Sequence, residues 1–122
     1  MPITNDDHPI RVEPDQRRIR VRFAGRVIAD TTRALTLYEA SYPGVRYIPR
    51  EDAEMTVLSR TTHKTLCPYK GEASYFTIKT SERTSENAVW SYEKPKPVAA
   101  QIAGYLAFDL KSVDGLDETP AN

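Results

Sequence analysis

One stretch concentrates the chemistry of this chain: Cys67-Pro68-Tyr69-Lys70-Gly71-Glu72-Ala73-Ser74-Tyr75, with His63 four residues upstream. Cys67 is the single cysteine among 122 residues. A thiol beside an ammonium or imidazolium gives up its proton more readily, and the thiolate is the attacking form. One reading is therefore catalytic, with Cys67 as nucleophile or redox thiol, His63 and Lys70 lowering its pKa, and Glu72 as general base. The competing reading is a small buried hydrophobe, the usual role of a free cysteine. His63 and Cys67 supply two ligands at most, so neither a metal site nor another cofactor is expected.

The same stretch also reads as a binding site. Gly71 permits a left-handed turn or the close approach of a ligand to the main chain. Lys70 offers a point charge for phosphate or carboxylate, while Glu72 and Tyr69 can orient polar groups. Ala88, Trp90 and Tyr92 alternate onto one face of a later strand; if that strand neighbours the one carrying Tyr75, the three large rings form an aromatic wall beside Lys70. Arg50, between Pro49 and the acidic pair Glu51-Asp52, is a second candidate cation. Against this stand a plain solvated turn for residues 70–72 and core packing for Trp90.

The elements that must position these residues are mostly strands. Arg18-Ile19-Arg20-Val21-Arg22-Phe23 alternates strictly, with apolar side chains on one face and arginines on the other. Ala24-Gly25 turns the chain, and residues 26–30 return as the second arm of a hairpin. Residues 34–39 fit strand or helix equally. Residues 45–48 read as a strand stopped by Pro49, with a helical turn behind that proline. Residues 55–58, 74–79 and 88–92 are further strands. A short helix is expected from Pro97 to Ile102, then a break at Gly104 and a closing strand through Phe108. The sum is seven or eight strands in compact, bent antiparallel sheets, a mainly β fold. Residues 1–16 read as an extended N-terminal arm, 17–114 as one domain, and 115–122 as a frayed acidic tail.

Composition sets the outer limits. The length fits a single domain, and 39% hydrophobic with 28% charged residues is ordinary for a globular chain. Formal net charge is zero, so no global field draws the protein to nucleic acid or to anionic lipid, and neither is an expected partner. The ridge of Arg18, Arg20 and Arg22 carries no aromatic residue on its own face, as a single-strand nucleic-acid platform would. No apolar run has the length of a membrane span, and the acidic N-terminus lacks the order of a signal peptide. With one cysteine, a reducing cytoplasm is the expected setting.

Five blocks in order carry a resemblance: residues 25–30, 47–52, 67–75, 90–92 and 102–108. Together they are similar to a small bacterial and fungal family, domain of unknown function 427, over roughly residues 17 to 114. The resemblance implies a β-tent, in which antiparallel sheets lean together around a groove. A nucleotidyltransferase label sometimes attached to the family finds no support here, because no Gly-Ser turn precedes an Asp-x-Asp metal pair. The paired cysteines that hold zinc in some other β-tent proteins are absent too. The leading expectation is a small anionic or nucleotide-like ligand in the groove, held by Arg50 and Lys70, with Tyr75, Trp90 and Tyr92 as the wall. The alternatives are a Cys67-dependent enzyme and a protein-interaction module using a sheet edge or the arginine ridge.

Overall fold

The structure, a computed structural model, describes residues 9–120. Ten strands and three short 3-10 segments form three antiparallel sheets among them. The first sheet has the order β1-β4-β5, from Ile10–Asp15, Ala34–Glu39 and Val45–Tyr47. The second has the order β10-β2-β3, from Gly115–Thr119, Arg18–Phe23 and Arg26–Thr31. The third runs β6-β7-β8-β9, from Leu58–Cys67, Gly71–Lys79, Thr84–Ser91 and Ala107–Phe108. The mainly β architecture of bent antiparallel sheets is as expected, and so is the short helix Pro97–Ile102, a 3-10 helix kinked at Ala99.

The third sheet is the shared wall, because its central strands are apolar on both faces. Phe76 and Ile78 of β7 and Val89 of β8 pack with Ile19, Val21 and Phe23 of β2 and Ile28 of β3. Ala73 of β7, Tyr92 just past β8 and Ala107 of β9 pack on the other side with Leu37, Tyr47 and Ile102. Two cores thus sit on the two sides of one sheet. Ile48 and Leu106, both 0% exposed, join the first sheet to the segment before β9 through two backbone hydrogen bonds of 2.8 Å each.

Several local expectations need correction. Residues 10–15, read as an extended arm outside the domain, are strand β1 of the first sheet: each pairs with β4, from Ile10↔Glu39 to Asp15↔Ala34. Pro14 is tolerated because β1 is an edge strand, where a missing N–H leaves no ladder bond unmade. Gly115–Thr119 is likewise no frayed tail; it pairs with β2 as β10, and Asp117 takes Arg22 at 2.7 Å. Residues 1–8 of the arm and 121–122 of the tail lie outside the described residues. Met55–Val57 is a 3-10 turn, not a strand. The strand that follows it, β6, has little alternation to read because most of its residues are exposed. The arginine ridge is charge-compensated: Arg18 and Arg20 meet Asp30 at 2.8 and 3.5 Å, and Arg22 meets Asp117.

A closed ring of ions ties the first two sheets together. Arg17 holds Asp15 at 2.9 Å and Glu118 at 2.6 Å. Arg46 of β5 completes the ring, with Glu118 on one side and Asp15 at 3.3 Å on the other. The Arg17 guanidinium, hydrogen-bonded to Asp15 and assisted by Arg46, outweighs burial and lowers the Asp15 carboxyl to about 2. A depressed carboxyl stabilises the fold above its unfolded pKa and loses that contribution as pH falls through the folded value. The window here runs from about pH 4 down to about pH 2. The full shift corresponds to about 2.5 kcal/mol, which solvent screening at the ring reduces to about 1 kcal/mol. Urea titrations should therefore show Asp15→Asn less stable than wild type by about 1 kcal/mol at pH 6, with the gap closing towards pH 2.

Candidate functional site

The hairpin formed by β6 and β7 carries the central motif, with Cys67 paired to Gly71. Gly71 has φ +115°, and a Cβ there would meet Lys94 O, Pro95 Cα and Lys96 N at 3.6 Å. Its role is to lay the hairpin against the 94–96 segment. Lys96 N donates to Lys70 O at 2.8 Å, and Lys96 Nζ donates to Pro68 O at 2.8 Å. Lys70 then turns inward. It is 9% exposed, ion-pairs with Glu39 of β4, and sits 5.6 Å from the Tyr92 ring centroid.

The aromatic wall exists, because β7 and β8 are neighbours with Tyr75 directly opposite Trp90. Directly paired residues project on the same side of a sheet, and Tyr92 follows two places on. Trp90 Nε1 donates to the buried Tyr47 hydroxyl at 3.2 Å. Burial pushes the Tyr47 hydroxyl up to about 12 and raises that of Tyr92 as well. Both phenols therefore stay protonated at neutral pH. Ala88 departs from the expected alternation: Asn87 has φ +52°, the register slips between Phe76 and Ile78, and Ala88 packs into the first core.

Lys70, Tyr75, Trp90 and Tyr92 are thus brought to one face, with Cys67 packed against the same core. They make up much of that core's packing, and Glu39 already answers the lysine. Arg50 is not with them. Its Nε donates to Gly104 O at 2.7 Å and its Nη2 to Glu93 Oε2 at 3.0 Å, while its guanidinium lies 5.3 Å from the Phe76 ring. Phe76 belongs to the first core, so the two cations expected to share one ligand lie on opposite faces of the sheet. Burial raises the Glu93 carboxyl, but Arg60 and Arg50 outweigh it and the net shift is downward.

The catalytic candidates are also dispersed. His63 is exposed and meets the Tyr75 ring edge-on at 4.6 Å. Glu72 is exposed and pairs with Lys64 at 3.4 Å. Cys67 is partly buried, and among the described residues no hydrogen bond joins its sulfur to His63 or Lys70. Tyr69 is half-buried in the hairpin turn.

A cavity of about 290 Å³ opens where the edges of the three sheets meet. β5 ends the first sheet, β10 the second and β9 the third. Because β9 is only two residues long, the shared wall stops short there, and the ion ring holds the outer sheets around the gap. Val45, Trp90, Phe108 and Leu116 supply apolar surface; Arg46, Lys111, Asp109 and Glu118 supply charge. Asp109 is occupied locally, accepting from Lys111 N at 3.1 Å and Ser112 Oγ at 3.0 Å. Sequence reasoning found Trp90 and missed its companions. No motif marks Val45, Arg46 or Lys111, and Leu116 lay in the segment read as a tail.

Among the described residues no three His, Cys, Asp or Glu side chains cluster as a metal site, and no helix is long and apolar enough to cross a membrane. No curated protein matches the chain. The family model described as a domain of unknown function, DUF427, matches residues 11–119, a longer span than the sequence blocks outlined. That span reaches into β1 and through β10, and the chain belongs to this family.

Proposed function

We propose that the domain binds a small ligand with an apolar, ring-sized body and one acidic group in the cavity between the three sheet edges. The observation that carries this reading is the cavity itself, at the lower end of ligand-site volumes and walled by Trp90. The space suits a single ring better than a whole nucleotide. Strand edges also present main-chain donors and acceptors that a polar group can use. Arg46 is already answered by Glu118 and Asp15. Lys111, by contrast, makes no ion pair among the described residues and is the natural partner for an anion at the rim. In this reading Trp90 keeps its expected role, and Lys111 replaces Lys70 and Arg50 as the cation. The lone Cys67 fits a reducing, cytoplasmic setting for that activity.

Trp90 is the only tryptophan, so its fluorescence reports directly on the cavity. Titration with benzoate and phenylpropionate should give a saturable change with a Kd of about 0.1–1 mM. Lys111→Ala should weaken binding by about fivefold, as befits one exposed charge pair. Equal affinity in that variant would remove the acidic group from the proposal. The absence of any saturable change up to about 10 mM would remove the cavity.

A further inference from the structure

We propose a second site: the concavity framed by two bulges of the third sheet binds a neutral, hydroxyl-rich ring such as a monosaccharide. It shares no lining residue with the cavity at the three edges. In β6 the register slips between Arg60 and Lys64, and in the β7–β8 pairing it slips between Phe76 and Ile78. The two irregularities lie on either side of the same short stretch of β7. They are braced to each other across it: Thr61 Oγ1 donates to Asn87 Oδ1 at 2.7 Å, and Asn87 N donates to Thr77 Oγ1 at 3.2 Å. His63 N in turn donates to Thr61 Oγ1 at 3.2 Å.

Bulges remove ladder pairing, and a non-glycine residue at positive φ costs about 1 kcal/mol or more; such features gather at sites where side chains are re-aimed. What they frame is a broad polar concavity of about 510 Å³, lined by Thr62, His63, Lys64, Thr77, Glu86 and Asn87 besides Thr61. Its chemistry selects the ligand class. Lys64 is already paired with Glu72, and Glu86 adds a negative charge to the lining, so nothing holds a net anion. Hydroxyls, an amide, an imidazole and a carboxylate together donate and accept. A ring of hydroxyl groups needs both functions. Asn87 Oδ1 is taken by Thr61, which leaves its amide nitrogen as a donor for a ligand. The His63 ring, held edge-on against Tyr75 at 4.6 Å, adds a flat surface beside these groups.

The test is a backbone amide chemical-shift titration of the whole chain with glucose, ribose and N-acetylglucosamine, and with inorganic phosphate in a parallel arm. At least one sugar should shift residues 61–64, 77 and 86–87 saturably, with a Kd of about 1–10 mM, while phosphate leaves them unmoved. Asn87→Gly keeps the left-handed backbone and removes the amide; Glu86→Gln removes the charged acceptor. Each should weaken sugar binding by about fivefold, and the spectrum of each variant reports independently that it is folded. The proposal is overturned if no sugar moves these residues, if phosphate moves them and sugars do not, or if both folded variants bind as wild type does.

Discussion

Glu39→Ala should destabilise the domain by about 3 kcal/mol, because it leaves a nearly buried ammonium without its carboxylate. The side chains of Lys70 and Glu39 are only 11% and 19% exposed, and the Tyr92 ring beside Lys70 replaces little of the lost charge pairing. The double variant Glu39→Leu with Lys70→Met should recover most of the loss, since an apolar pair of similar size carries no charge to desolvate. Equilibrium unfolding in urea measures both. A Glu39→Ala cost below about 0.5 kcal/mol would mean that the pair is solvated and Lys70 is free to meet a ligand after all.

Leu106→Ala should cost about 3–4 kcal/mol, in the range found for deleting a fully buried leucine whose site cannot collapse. Leu106 is 0% exposed in the first core, and its main chain is fixed on both its N–H and its C=O by Ile48. The surroundings therefore cannot follow a shortened side chain inward. Leu110→Ala is the internal control. Four residues on, Leu110 is 63% exposed, and its loss should fall within about 0.5 kcal/mol of wild type. Similar costs for the two would show that the joint between the first and third sheets is not a packed one.

Strands with one solvated face were legible in the letters. Residues 18–23 alternate because the second sheet buries one side and keeps arginines on the other, and the proline-led turns at 50–52 and 97–102 follow from fixed proline φ. β6 was not legible beyond its first residue, since an edge strand exposed on both faces has no hydrophobic period to detect. β1 and β10 were missed for a related reason: their partners, β4 and β2, supply most of the burial, so their own composition resembles a terminus.

The candidate site divides in the same way. Strand parity alone puts Trp90 and Tyr92 on one face; Tyr75 joins them only because β7 and β8 are neighbours, with Tyr75 opposite Trp90. The separation of Arg50 from Lys70 could not be read, because it depends on which core each loop returns to. The slip in the β7–β8 pairing, with Asn87 at positive φ, interrupts the alternation of β8, and Ala88 leaves the face it shares with Trp90 by parity. The ion ring of Asp15, Arg17, Arg46 and Glu118 joins residues from near the two ends of the chain, and no local pattern encodes it.

The most direct measurement is an amide shift map of the intact chain in the presence of phenylpropionate. Saturable perturbation centred on Val45, Arg46, Trp90, Lys111 and Leu116 is the predicted result, since strands from all three sheets border one pocket there. Perturbation confined to the hairpin at 67–75, or no perturbation up to about 10 mM, would contradict a binding function for that gap.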